Sequence, residues 1–177
     1  MVYEMSYLPL FNVKLRDFMN DAELMLQTQI LAKKYVLENV DCDNYTVDIG
    51  VPLSYAVGPS SLGCELTQNA DEHPWCKPWI ETEHDLLKLE KIDTVNSGLR
   101  ARSVRLRNEM LKIKDSYKVR FNDGHEFTPA DNVGLAGGTD GAFTIACQLV
   151  GPEKFFLDII DRPEFAKKLM HIVIEKE

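Results

Sequence analysis

The chain has 177 residues, enough to bury a substantial core without disulfides or a structural metal. Its formal charge of -8 and pI near 5.0 argue against nucleic acid and anionic membrane as partners, because both are attracted by a basic face. No apolar stretch is long enough to span a bilayer, the start Met1-Val2-Tyr3-Glu4-Met5 has neither a basic residue nor a long apolar run, and Cys42, Cys64, Cys76 and Cys147 lack a framework spacing. A soluble cytoplasmic protein with reduced thiols is therefore expected.

After an N-terminal segment, residues 1–20, Asn20-Asp21-Ala22-Glu23 carries an asparagine cap signal and opens a helical pattern to about Glu38, with Leu24, Ile30, Leu31 and Tyr35 among its apolar positions. Tyr45 to Val51 is a compact run of strand formers ended by Pro52, and Asp48 is expected at its C-terminal end. Residues 58–81 are rich in glycine, proline, asparagine and serine and read as a long loop or insertion with one short strand near Cys64 to Leu66. Loops of that length often build a site. Thr82-Glu83-His84-Asp85 is a capping-type start leading into Leu86-Leu87-Lys88-Leu89.

Between Ser97 and Lys114, apolar Leu99, Val104, Leu106, Met110, Leu111 and Ile113 interleave with Arg100, Arg102, Arg105, Arg107, Lys112 and Lys114, as in a surface helix. Its basic row reads either as a solvated face or as a docking face for an acidic partner. Tyr117 to Phe121 alternates, and Asn122-Asp123-Gly124 is a tight-turn signal, so Tyr117 to Phe127 is predicted to be a hairpin. Val133 to Ala136 is a short apolar strand, followed by Gly137, Gly138 and Gly141 where the chain must turn into a helix over Ala142 to Val150. Gly151-Pro152 ends that helix and begins another. Asp161-Arg162-Pro163-Glu164 repeats the start signal, with Asp161 as the expected cap. Strands separated by helices imply an α/β fold with parallel pairing and right-handed crossovers.

Gly141-Ala142-Phe143-Thr144-Ile145, then Gly151, Phe155-Phe156-Leu157-Asp158 and Asp161-Arg162-Pro163-Glu164-Phe165, resemble the uroporphyrinogen decarboxylase superfamily. That family has a strand ending in Gly-Pro-Phe-Thr-Leu or Ala-Pro-Trp-Thr-Leu, and then a glycine, Phe-Leu-Leu-Asp and Asp-Pro-Glu-Phe. Upstream, Asp48-Ile49 is similar to its Ser-Asp-Ile-Leu segment and Leu62-Gly63-Cys64-Glu65-Leu66 to its "Leu-Gly-hydrophobe-Glu-Val". Lys77-Pro78-Trp79-Ile80 and Glu83-His84-Asp85-Leu86 are similar to "Pro-Pro-Ile" and "Pro-Glu-Asp-Leu". The resemblance runs from about Asp21 onward and implies a (β/α)8 TIM barrel. That fold commonly takes about 250 residues. Residues 1–177 are thus expected to form a single partial barrel domain, roughly the first three strand units, completed by a C-terminal half or by another chain.

By the same resemblance, Asp48 is the catalytic candidate, matching the aspartate with which the decarboxylases hold pyrrole N–H groups; a structural acid capping the next helix is the alternative. Gly137, Gly138, Asp140, Gly141, Phe143 and Gln148 are candidate substrate-binding residues around the glycine turn, which lacks the Gly-Lys-Ser/Thr of a nucleotide loop. His73, Cys76 and Cys64 offer soft ligands for a metal, against a packed loop of prolines and tryptophans as the other reading.

Two features divide the family's branches. The arginine-bearing Arg-Gln-Ala-Gly-Arg-Tyr segment with which decarboxylases hold substrate carboxylates is absent from Ser6 to Arg16, and Gln148 stands where they carry a tyrosine. Phe143-Thr144-Ile145-Ala146-Cys147-Gln148-Leu149 is closer to the Phe-Thr-Leu-Ala-Ala-Gln-Leu of the corrinoid and coenzyme M methyltransferases. The resemblance therefore implies a methyltransferase acting with a corrinoid protein and a small methyl donor or acceptor. Its zinc would be held in the other half of the barrel. A uroporphyrinogen decarboxylase, or a non-catalytic subunit of a split barrel, is the alternative expectation.

Overall fold

The computed structural model describes residues 4–41, 48–69, 72–127, 133–135 and 140–176. In chain order its helices and strands are α1 (Glu4–Tyr7), α2 (Leu15–Phe18), α3 (Ala22–Asn39), β1 (Ile49–Gly50), α4 (Val57–Ser61), β2 (Glu65–Thr67) and β3 (Trp75–Lys77). There follow α5 (Glu83–Leu89), α6 (Gly98–Ile113), β4 (Val119–Arg120), β5 (Glu126–Phe127), β6 (Val133–Gly134), α7 (Ala142–Val150), α8 (Pro152–Asp161) and α9 (Pro163–Lys176). The chain divides into two compact units. One falls within Met1–Pro52, Ala70–Glu72 and Ser103–Ala136, the other within Leu53–Asn69, His73–Arg102 and Gly137–Glu177.

The first unit is organised around a parallel strand pair. β1 and β6 pair in register Ile49↔Val133 and Gly50↔Gly134, and Val51 N donates to Gly134 O at 3.1 Å. This is the parallel pairing expected of strands so far apart in sequence, since a short turn can only join antiparallel neighbours. Helix α3 holds the pair from one side. The buried carboxamide of Gln29 accepts from Gly50 N at 3.1 Å and donates to Gly50 O at 2.9 Å, so the outer edge of β1 is satisfied without another strand there. Arg107 Nε donates to Val133 O at 2.7 Å. Phe18, Met19, Met25, Leu26, Leu106, Met110 and Val133 are almost wholly buried in this unit. The predicted hairpin is present as β4 and β5, antiparallel with Val119↔Phe127 and Arg120↔Glu126, and Gly124 supplies the turn's positive φ of 88°.

The second unit is mainly helical. β2 and β3 form an antiparallel hairpin in register Glu65↔Lys77, Leu66↔Cys76 and Thr67↔Trp75. Trp79 N and Ile80 N both donate to Leu149 O, at 2.9 and 3.0 Å, tying the segment after β3 to the end of α7. Leu62, Ile80, Leu86, Leu89, Leu99, Ile145, Leu149, Phe155, Leu169 and Val173 form the core. Gly98 opens α6 at φ 55°, and a Cβ there would collide with the Ser60 carbonyl, while Ser60 Oγ accepts from Leu99 N at 3.1 Å. Glycine is required at this junction by both conformation and space.

Four local expectations are corrected. The stretch 58–81 holds two strands and lies partly in α4, because Trp75-Cys76-Lys77 alternates exposed, buried, exposed and pairs with β2. Helix α3 is capped by Asp21, whose Oδ1 accepts from Leu24 N at 3.0 Å; the Asn20 amide is turned back onto Arg16 O at 2.6 Å. Asp161 is the last residue of α8 rather than a cap, and the acid at that junction is Asp158, one turn earlier, bound to Arg162. Asp48 stands one residue before β1, at the entrance of the described strand and not at its exit.

Candidate functional site

The candidate residues of the second unit gather where α7 meets the β2–β3 hairpin. Helix α7 is apolar, and its Ile145, Ala146, Leu149 and Val150 are buried on the core side. Gln148 falls on the flank between that stripe and solvent. Its Nε2 donates to Asp140 Oδ2 at 3.5 Å, a long contact, and its Oε1 is buried with no hydrogen-bond partner among the described residues. Asp140 is half-buried just ahead of Gly141, which precedes α7 with no side-chain cap. Two predicted residues are thus brought together: the acid before the helix and the amide two turns along it.

Phe143 is turned another way. It is 43% exposed and sits edge-on to Phe155 and Phe156 of α8, with ring centroids 5.5 and 5.7 Å apart. Five positions along a helix leave two side chains about 140° apart around the axis, so residues 143 and 148 cannot share one narrow face. Gly137 and Gly138 lie outside the described residues, so the predicted turn is represented here by Asp140 and Gly141. Asp48 belongs to the first unit and is exposed; the charge it acts on there is Lys33 of α3, whose pKa burial lowers and Asp48 opposes.

Cys64 and Cys76, named from the sequence as soft ligands beside His73, fall in the same place. Cys64, just before β2, and Cys76, in the middle of β3, are both about 5% exposed, at 6% and 5%. Cys64 Sγ donates to Gln148 O at 3.9 Å, joining the hairpin to α7. The hydrogen bond from Cys64 pulls the Cys76 pKa down, against burial and the nearby Asp140 charge; Cys64 is correspondingly pushed up. The signal for the pair was available in the spacing: if β3 is recognised, Cys64 and Cys76 fall on the same face of a hairpin.

His73 lies ahead of β3, its ring 6.0 Å from Tyr55 and its Nδ1 buried with no partner among the described residues. Tyr55 also meets Trp75 at 6.3 Å, so His73 belongs to an aromatic cluster. Among the described residues no group of three His, Cys, Asp or Glu side chains is placed to hold a metal ion. The rings around His73 fit the packed-loop reading.

Comparison with known proteins places this architecture. The fold resembles a solved structure of a methyltransferase from Methanosarcina mazei, with a TM-score of 0.62 and 16% sequence identity. The match covers 99% of this chain but 46% of that one, so the chain spans about half the length of its structural neighbour. No curated protein matches it. Residues 9–176 match the uroporphyrinogen decarboxylase (URO-D) family, whose fold is the TIM barrel. With nearly its whole length inside that match, the chain belongs to the uroporphyrinogen decarboxylase family and carries part of its barrel.

Proposed function

We propose that this chain contributes to a barrel that moves methyl groups to or from a corrinoid protein. The observation that carries the reading is the Gln148–Asp140 contact at the start of α7. The decarboxylase pattern places a tyrosine at position 148, a phenol able to donate to an anionic substrate group. A carboxamide tethered to an acid is instead a neutral, two-sided hydrogen-bonding pair, suited to orienting a small polar methyl donor or acceptor. Gln148 Oε1, without a partner among the described residues, supplies an acceptor for such a group. The structural neighbour, itself a methyltransferase, shares the fold and supports the same branch.

In this reading Asp140 fixes the rotamer of Gln148, and Gly141 leaves the backbone beside it open: a Cβ there would meet nothing within 4 Å. Positioning of this kind lowers the barrier by replacing a random encounter with an oriented one. A zinc ion, as the branch implies, would activate a thiol acceptor; no ligand set for it is found among the described residues. The residues present therefore bind and orient.

The test is anaerobic. The chain, alone and together with the polypeptide that completes its barrel, is mixed with the cob(I)alamin-loaded partner and with methylamines, methanol or methoxylated aromatics, and the cobalt spectrum is followed. Conversion to methylcob(III)alamin with one donor is the expected result. No methylation with any of them, while the mixture forms coproporphyrinogen from uroporphyrinogen, would assign the chain to the decarboxylase branch instead.

A further inference from the structure

The second unit carries a cluster of rings that the chemistry above does not use. Trp75 stands at an outward position of β3: Cys76 beside it is buried, and Trp75 itself is 62% exposed. Thr67 pairs with it across the hairpin, and Thr67 Oγ1 donates to Trp75 O at 3.4 Å. Tyr55, 43% exposed, comes from the turn ahead of α4 in the same unit. Leu53 and Ala56 on either side of that turn are almost wholly buried, and Ser54 fixes it, with Oγ accepting from Ala56 N at 3.1 Å and O accepting from Val57 N at 3.2 Å. Two anchored stretches of backbone thus hold two large rings out towards solvent.

The rings stand at 74° to each other with centroids 6.3 Å apart, and the His73 ring backs Tyr55 at 6.0 Å and 47°. A near-right-angled pair at that separation encloses a point about 4.5 Å from both centroids, inside the reach of about 6 Å over which a ring face attracts a cation. The chain's own cations do not use it. Lys77, two residues along the same face of β3, is paired with Glu65 at 3.8 Å, and the cation–ring contact among the described residues is that of Arg162 with Phe165 at the α8–α9 junction.

We propose that Tyr55 and Trp75 form a binding site for a small methylated or quaternary ammonium compound, with the cation seated in the corner between the two rings. The negative ring faces attract the charge. The two side chains offer a single acceptor, the Tyr55 hydroxyl, so a bare ammonium would give up bonds to water that nothing replaces; N-methyl groups have none to lose and add apolar contact. The chain's formal charge of -8 raises the local concentration of cations. Binding here needs neither the corrinoid protein nor the rest of the barrel, so it stands or falls separately from methyl transfer.

The experiment titrates the folded chain with tetramethylammonium chloride and with choline, and follows the indole N–H signals of its two tryptophans by NMR. Controls are sodium chloride at equal ionic strength and the uncharged analogue of choline in which carbon replaces nitrogen. Saturable binding with a Kd of about 1–10 mM is expected for the cations. It should move the Trp75 indole and leave that of Trp79, whose Nε1 donates to Leu62 O at 3.2 Å. Tyr55→Leu and Trp75→Leu keep apolar surface but lose a ring, and each should weaken binding about fivefold or more; Tyr55→Phe should stay within about twofold. An unmoved Trp79 signal shows that a variant is folded, and the N-methyl proton shift of the ligand reports binding where Trp75 is replaced. Equal binding of the uncharged analogue, unaltered affinity in both leucine variants, shifts confined to Trp79, or no saturation up to about 0.1 M tetramethylammonium would each overturn the proposal.

Discussion

Gln148 Nε2 lies 3.5 Å from Asp140 Oδ2, so the amide two turns into α7 reaches back to the acid that precedes the helix. The contact leaves Gln148 Oε1 buried and unpaired among the described residues, an arrangement that costs stability unless something is bound there. Gln148→Ala is expected to lower single-turnover methylation of cobalt about tenfold, the worth of one hydrogen bond to a polar group. Gln148→Glu should be worse than Gln148→Ala, because a second carboxylate beside Asp140 repels it. Equal rates for all three proteins in stopped-flow traces would remove this pair from substrate positioning.

Gly98 offers a test of the fold that is independent of chemistry. Its φ of 55° and the Ser60 carbonyl beside it leave no room for a methyl group. Gly98→Ala should destabilise the protein by about 2 kcal/mol or more in urea titrations. Gly124, at φ 88° and with nothing within 4 Å of the place a Cβ would take, should lose only about 1 kcal/mol on the same substitution. Similar losses at the two positions would mean that the close approach of α6 to Ser60 is absent in solution.

Asp158 is 5% exposed, and Arg162 meets it with two bonds, at 2.8 and 2.7 Å, while the guanidinium lies 4.1 Å from the Phe165 ring centroid. Arg162→Ala strands a covered carboxylate and should cost about 3 kcal/mol of stability. The double variant Asp158→Asn, Arg162→Met should recover part of that loss. A full loss in both, read from thermal unfolding, would mean that packing on Phe165 rather than charge holds the α8–α9 junction.

The start of α5 gives a pH dependence with a defined sign. Asp85 accepts from Thr82 N at 3.0 Å, Thr82 Oγ1 at 2.8 Å and Lys88 Nζ at 2.8 Å, and these bonds, Lys88 first, hold its pKa well below the usual aspartate range. A folded-state pKa below the unfolded value contributes stability at neutral pH that is lost as pH falls through the carboxylate range towards that depressed value. Asp85→Asn should flatten the acid limb of the stability curve. An unchanged limb, measured by denaturant titration between pH 3 and 7 at about one-unit steps, would show that the bonds to Asp85 at the start of α5 fray in solution.

Much of the frame was legible in the sequence, for reasons that particular residues make plain. Asn122-Asp123-Gly124 announced the β4–β5 hairpin because only a residue free to take positive φ closes so tight a turn. Val133 was readable as a strand beside Ile49 because both are short apolar runs separated by helix-length segments. The second strand of the β2–β3 hairpin was not, since Trp75-Cys76-Lys77 is three residues long and enclosed by Pro74 and Pro78, where periodicity has no length to register. Without that strand Cys64 and Cys76 could be named together as soft ligands but not placed on one face of a hairpin. At the site, neither the Asp140–Gln148 contact nor the turning of Phe143 was legible: eight helical residues rise about 12 Å, so the contact depends on the path of the chain at Asp140 and Gly141 ahead of α7, and Phe143 turns onto Phe155 and Phe156 according to where α8 packs, which no local pattern encodes.

The most direct test of the central claim is a single preparation, the chain with the remainder of its barrel, divided between two anaerobic assays. One portion receives cob(I)alamin-loaded corrinoid protein and the methyl donors; the other receives uroporphyrinogen. The account predicts that the cobalt spectrum shifts to that of methylcob(III)alamin, that the shift slows with Gln148→Ala, and that no coproporphyrinogen forms. Coproporphyrinogen in the second portion with an unmoved cobalt spectrum in the first would contradict it.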